Sequence, residues 1–219
     1  DRYFTNISWA PDGKSLFLIE LNRDQNHSKL CQYNTENGEL IQVLYEEEHE
    51  KYVEPQHAIL FLPWDDSKFI YQSQRDGFNH LYVFDLKKKK YPERYITKAG
   101  TTYRPFYENR QLTTGNWLVQ DVLGFDVKRK EIIFAATKES PLQNNIYKVN
   151  VKNGKITSLD NGQGVHRVQL SANAEYMIDN YSTPDTPRRI VLTSLRNGKE
   201  CQELLVAQNP FEGLQMPNI

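Results

Sequence analysis

The sequence predicts an all-β fold of repeated four-stranded antiparallel sheets, and three observations predict it. The first is the hairpin over residues 69–86, two runs rich in Phe, Ile, Tyr and Val joined at Asp76-Gly77. Branched and flat side chains pack across a pleated strand, and Gly takes positive φ without a Cβ clash. The second is repetition: the same order of strand, turn and strand recurs four times along the chain. The third is an Asn-Gly pair before the closing strand of three of the four units, at Asn37-Gly38, Asn153-Gly154 and Asn197-Gly198. That pair in that place is the signature of a two-residue type I′ hairpin. A strand that is apolar on both faces needs cover above and below, so each unit requires neighbours like itself. Four strands per unit and four units make the pattern of β-propeller blades.

Taken in order, the first unit covers residues 3–44. It runs from Ile7-Ser8-Trp9 through Leu16-Phe17-Leu18-Ile19 and Leu30-Cys31 to a closing strand at residues 40–44. A polar connection, residues 45–56, follows. The second unit covers residues 57–115. It has two candidate closing strands, at residues 94–97 and 110–115, and the second leads directly into the next unit. On that choice residues 91–109 are an insertion. The third unit covers residues 117–159 and the fourth residues 165–207. Residues 208–219 break the β pattern and read as an exit linker. No stretch of eleven or more residues carries helical periodicity.

Composition excludes several classes of function. Lys and Arg number 27 and Asp and Glu 28, a net charge of −1, so no global field draws nucleic acid or an anionic membrane. The run Lys87-Lys88-Lys89-Lys90 reads as a solvated turn. No apolar run of about 18 residues is present to form a transmembrane segment. Tyr 13, Phe 10 and Trp 3 suit sheets packed face to face with phenol hydroxyls at their edges. Cys31 and Cys201 stand in different units and read as inert buried thiols, not a disulfide or a metal site. His27, His49, His57, His80 and His166 are scattered, and each reads as a structural hydrogen-bonding residue. No Gly-x-Ser-x-Gly elbow, Walker loop or zinc spacing occurs, so no catalytic residue, metal or cofactor is expected in this chain.

The units also carry a family resemblance. The ordered run from Arg110-Gln111-Leu112-Thr113-Thr114-Gly115-Asn116-Trp117 through Gly124-Phe125-Asp126, Asn145-Ile146-Tyr147, Gly164-Val165-His166 and Asp179-Asn180-Tyr181-Ser182 closely resembles the later blades of dipeptidyl peptidase IV, its bacterial members most of all. The turn Gln74-Arg75-Asp76-Gly77-Phe78-Asn79-His80 resembles that of a preceding blade. The family joins an eight-bladed propeller to an α/β-hydrolase domain of the prolyl oligopeptidase type. The resemblance implies that this chain is about four blades of that propeller, the later half; the chain also opens inside a strand-like run, Tyr3-Phe4-Thr5-Asn6-Ile7, and so looks like an excised piece. The triad and the hydrolase domain would then belong to the same parent chain beyond Ile219. The expected role is noncatalytic: to wall the active-site cavity of a proline-specific serine dipeptidyl peptidase and limit access of peptide substrates. The same resemblance implies a periplasmic, secreted or cell-envelope location. A stand-alone propeller-like scaffold for protein interactions is the alternative, and self-association is expected of the isolated chain through its open end blades, with Leu16, Leu18 and Leu30 read as open-end residues of the first and Met177, Ile178 and Ile190 of the last.

Two stretches bear on substrate contact. The family holds the substrate amine with glutamates in a motif like Asp-Trp-x-Tyr-Glu-Glu-Glu. Tyr45-Glu46-Glu47-Glu48 is similar, but Gln42-Val43 stand where Asp-Trp would be. The run reads instead as an exposed acidic connection whose three carboxylates share no cation. The connection before the second unit resembles one that lines the family's cavity on the primed side. That resemblance makes Tyr52 and Glu54 the candidate substrate-binding residues.

Overall fold

The structure is a computed structural model and describes residues 1–210 and 213. The expected exit linker lies largely outside the described residues. Every regular element among the described residues is a strand, and by contact the chain divides into two compact units, residues 1–119 and 120–219.

In the first unit, β1 (Arg2–Trp9), β2 (Ser15–Asn22), β3 (His27–Asn34) and β4 (Leu40–Glu48) form an antiparallel sheet in sequence order. A second sheet holds β5 (Leu60–Leu62), β6 (Asp65–Ser73) and β7 (His80–Lys89). Two short strands, β8 (Tyr95–Ile96) and β9 (Thr102–Pro105), come next in the chain, and β10 (Tyr107–Gln111) then closes the second sheet on β7. Most of the residues read as an insertion extend the first sheet, while the last of them, Tyr107–Asn109, belong to β10. There β9 pairs with β4 (Glu46↔Arg104, Glu47↔Tyr103) and β8 pairs with β9, which makes six strands. The core joins the two sheets. Phe17, Ile19, Leu30, Leu44 and Tyr45 meet Ile59, Phe69, Tyr71, Tyr82, Phe84 and Tyr107. Phe69 and Phe84 stack with centroids 5.2 Å apart, and the Phe61 and Tyr71 rings abut them edge-on. Offset and edge-on contacts are the arrangements aromatic quadrupoles favour.

The second unit holds two four-stranded antiparallel sheets. One is β11 (Val119–Asp126), β12 (Glu131–Ala136), β13 (Asn145–Asn150) and β14 (Ile156–Ser158). The other is β15 (Val165–Leu170), β16 (Tyr176–Ser182), β17 (Arg189–Ser194) and β18 (Glu200–Val206). Ile133, Ala135, Ile146 and Leu159 pack on Ala174, Met177 and Leu195 between them. Four blade-type sheets with unclosed ends are the all-β propeller fragment that the repeats imply.

The Asn-Gly loops differ from the type I′ expectation. Only glycine has positive φ, at Gly38 (72°), Gly154 (71°) and Gly198 (70°), while the preceding Asn does not. Each glycine amide bonds back four residues, to Asn34, Asn150 and Ser194 respectively. The loop is therefore longer than two residues, with one left-handed position. The Asn is there for its side chain. Oδ1 of Asn37, Asn153 and Asn197 accepts the amide of the residue two places on.

Two further expectations are corrected. Cys31 is buried, with its thiol pushed up to about 12 by burial and the Glu20 charge, but Cys201 is exposed on β18. Leu18, Leu30 and Met177, read as open-end residues, are buried, whereas Ile178 is exposed. β18 is exposed at every position, since no further strand or sheet among the described residues covers it.

Candidate functional site

Strand β4 continues to Glu48, beyond the closing strand read at residues 40–44, and this places the three glutamates. Successive strand residues face opposite sides. Tyr45 and Glu47 turn toward the second sheet, and Glu46 and Glu48 turn away from it. Glu46 lies 3.5 Å from both Lys29 and Arg104, and Glu48 is an exposed residue 3.8 Å from Arg94. The three carboxylates do not converge on one cation. The expectation that all are exposed holds only at Glu48: Glu46 is half-buried, and Glu47 is only 5% exposed. The reason is β9: pairing Tyr103 beside Glu47 covers a position that a loop would leave in water.

Glu47 is sustained by one donor from the second sheet and one from its own strand. Its Oε2 accepts the Ser73 hydroxyl at 2.7 Å and the Tyr45 hydroxyl at 3.0 Å. Tyr45 oxygen in turn accepts an Arg75 N–H at 3.2 Å, so the hydroxyl relays between cation and carboxylate. The Arg75 guanidinium also donates to Asn109 at 3.0 Å and lies over the rings of Tyr82, Tyr103 and Tyr45, at 3.7, 4.4 and 5.5 Å from their centroids. Weak hydration and a flat cation suit this aromatic enclosure. Burial pushes the Glu47 carboxyl up, against the lowering effect of Ser73, Tyr45 and Arg75. Burial likewise holds the Tyr45 and Tyr71 phenols well above their ordinary range. Arg75 was legible only as a turn residue. The alternation of Glu47 with apolar Tyr45 in a strand was the available signal, but it required knowing that the strand continued.

From Glu48 the chain forms a strap across the edge of the first sheet. The His49 amide donates to Asn26 carbonyl at 3.0 Å, and the Val53 amide donates to Gln25 carbonyl at 2.8 Å. His49 Nδ1 accepts the Lys51 amide at 3.1 Å, which leaves Nε2–H to donate to Ala99 carbonyl at 3.3 Å. Val53 is buried, and its neighbours Tyr52 and Glu54 are exposed on either side of that anchor. Both line two open clefts. One, of about 550 Å³, also has Tyr3, Thr5, Leu21 and Pro55 in its walls. The other, of about 260 Å³, has Glu47, Lys51, Gln74 and Thr101. The structure thus brings the two sequence-predicted residues to one ridge, beside a buried carboxylate that the sequence reading had set aside. Chemically the ridge offers a phenol face and a carboxylate to an extended chain in either cleft.

The two deeply buried histidines sit elsewhere and have opposite hydrogen-bonding surroundings. His80 opens β7, its Nε2 2.9 Å from Gly115 carbonyl and its Nδ1 3.0 Å from the Thr113 hydroxyl. A neutral ring satisfies both, because the hydroxyl can donate, and burial lowers its pKa. His166, in β15, faces only acceptors: Asp179 carboxylate at 2.8 Å and Gln163 carbonyl at 2.8 Å. Burial opposes the imidazolium, but Asp179, Asp160 and that carbonyl outweigh it and the pKa is raised. Among the described residues no group of three or more His, Cys, Asp or Glu could hold a metal ion, and no helix is long and apolar enough to cross a membrane.

Comparison with known proteins agrees with this architecture. A crystal structure of a Bacteroides ovatus protein described as a dipeptidyl aminopeptidase IV matches with TM-score 0.91 and 55% identity, covering 100% of this chain and 31% of that one. Porphyromonas gingivalis dipeptidyl peptidase 4 matches with TM-score 0.73 and 25% identity, covering 94% of this chain and 26% of that one. Mouse dipeptidyl peptidase 8 is 26% identical over 234 residues, 90% of this chain and 26% of that protein. The chain therefore spans between a quarter and a third of the length of these relatives. The family model for the dipeptidyl peptidase IV (DPP IV) N-terminal region matches residues 1–188, and the chain belongs to that family.

Proposed function

We propose that this chain is the noncatalytic propeller portion of a proline-specific serine dipeptidyl peptidase, where it walls the active-site cavity and limits access of peptides. The hydrolase domain and its triad belong to the same parent chain, outside these residues. The observation that carries the reading is the strap: a buried Val53 pins the backbone while Tyr52 and Glu54 stand exposed beside two clefts. A wall that contacts substrate needs such side chains on a fixed backbone, because mobile ones lose the gain to ordering. The relatives' descriptions as dipeptidyl peptidases support the reaction class. The parent acts outside the cytoplasm, in the periplasm, secreted or at the cell envelope, in keeping with the family resemblance.

The test compares Tyr52→Ala and Glu54→Gln in the parent enzyme on a short chromogenic dipeptide and on a longer proline-containing peptide. A contact beyond the scissile bond lowers kcat/KM for the longer peptide by about three- to tenfold, or roughly 0.7–1.4 kcal/mol, and leaves the short substrate within about twofold. Equal effects on both substrates, or no effect on either, would remove the strap from the substrate path.

A further inference from the structure

We propose that the smaller cleft beside the strap is a subsite for a basic side chain of the peptide, lysine or arginine, held by Glu47 and Glu54, which rests on the reading of the strap as part of the substrate path. The cleft has about 260 Å³ and lies where the strap meets the turns at residues 74–77 and 97–101. A pocket for a whole small molecule has roughly 300–1,000 Å³, so this one suits a single side chain. Glu47 stands on the face of β4 turned toward the second sheet, where it meets Ser73 of β6. The other lining residues come from the strap and the two turns, so no open sheet face forms part of the cleft.

The wall carries acceptors that nothing in the chain uses. Glu47 Oε2 accepts from Ser73 and Tyr45, but Oε1 accepts no hydrogen bond among the described residues, although the side chain is buried. A buried carboxylate oxygen without a donor is costly, and a ligand donor removes that cost. Thr101 is buried too; its amide and carbonyl bond within its own turn, and its hydroxyl has no partner among the described residues. The Gln74 side chain and the Glu54 carboxylate are likewise unpaired among them. An ammonium brings three donors and a guanidinium five, and neither accepts, which matches such a wall. The exposed Tyr52 ring adds a π face for a cation. Two carboxylates and one ammonium, that of Lys51, line the cleft, so its wall is net acidic. Arg75 reaches Glu47 only through the Tyr45 hydroxyl, at Oε2, and Asp76 opposes its effect.

The three wall segments are tied to one another. His49 of the strap bonds Ala99 carbonyl at 3.3 Å, and the Thr97 hydroxyl donates to Arg75 carbonyl at 2.5 Å. The turns close on themselves through the Gly77 amide to Gln74 carbonyl at 2.8 Å and the Gly100 amide to Thr97 carbonyl at 3.1 Å. Acceptors held on fixed backbone bind a cation without first being ordered.

The test assays the parent enzyme on longer proline-containing peptides. These carry lysine or its neutral counterpart norleucine, and arginine or citrulline, in turn at each position beyond the scissile bond. At one position the basic peptide should exceed its neutral counterpart about fivefold in kcat/KM, the gain of a charge pair partly withdrawn from water. Glu47→Gln and Glu54→Gln should each bring that ratio toward unity, Lys51→Gln should raise it, and added salt should lower it. The ratio compares two substrates on one enzyme, so a general loss of activity cancels. Circular dichroism confirms that Glu47→Gln is folded, and Glu54→Gln, at an exposed residue, gives the same test without touching the core. Glu36→Gln makes the same change in net charge on an exposed turn of the same unit and should leave the ratio unchanged. The subsite is overturned if no position favours the basic peptide, if the preference survives in both Glu47→Gln and Glu54→Gln, or if Glu36→Gln lowers it as much. A loss in Tyr52→Ala on the neutral longer peptide, with no basic preference anywhere, removes the subsite and leaves the strap in the substrate path. No effect of Tyr52→Ala on any longer peptide removes both.

Discussion

A buried charge is retained only where its partners exceed its desolvation, and the residues of this chain illustrate two solutions. Arg75 is enclosed by three tyrosine rings, a phenol oxygen and an amide oxygen, with Glu47 reached through Tyr45. Arg75→Met keeps much of the volume but strands the Asn109 acceptor and removes the cation that faces Glu47 through that relay. It should cost about 3–5 kcal/mol in urea unfolding; a cost below about 1 kcal/mol would show that the enclosure contributes no net stability. His166 is the pH-sensitive case. Its folded pKa is raised above the ordinary value of 6.5, so its contribution is fully present below pH 6.5 and is lost as pH rises through the folded value. Urea midpoints should fall over that upper range, and His166→Gln should flatten the slope there. An unchanged slope in that variant would assign the pH dependence to other groups. His80 has the opposite sign: its lowered pKa withdraws stability as pH falls below 6.5.

At the scale of elements, the closing loops separate backbone strain from packing. Gly38, Gly154 and Gly198 hold the same left-handed φ in the same loop. A Cβ on Gly38 would meet nothing within 4 Å, but on Gly198 it would lie 2.9 Å from the Leu159 Cα. Gly38→Ala should therefore cost about 1 kcal/mol, the left-handed penalty alone. Gly198→Ala should cost about 2 kcal/mol or more, because backbone cannot move aside as a side chain can. Denaturant midpoints of the two variants decide this, and equal costs would mean that Leu159 yields freely. The insertion after β7 shows how an element changes its neighbours. By adding β9 to β4 it converts an expected acidic loop into a paired strand and buries Glu47.

Across the whole molecule, exposed apolar side chains occur in many places, and two strands at sheet edges each carry several of them. β1 exposes Phe4 (54%), Ile7 (57%) and Trp9 (63%), and β18 exposes Leu204, Leu205 and Val206. Apolar surface of this extent favours association, and an uncovered strand edge offers unpaired amides and carbonyls to another chain. The isolated chain should self-associate reversibly at micromolar concentration by light scattering, and Trp9→Lys with Leu205→Lys should return it to monomer. A strictly monomeric wild-type chain over that range would contradict this expectation.

What the sequence determined by itself was the all-β class, the four-unit repeat, and the resemblance that named Tyr52 and Glu54. Strand alternation, turn residues and ordered motifs act over a few residues, so they are visible in the chain alone. Tertiary structure decided which residues became buried partners. Glu47 reads as one of three like acids until β9, more than fifty residues later in the chain, covers it. Leu18 and Met177 read as end-blade surface until packing within their own units encloses them. Burial depends on contacts distant in sequence, and no local pattern encodes it.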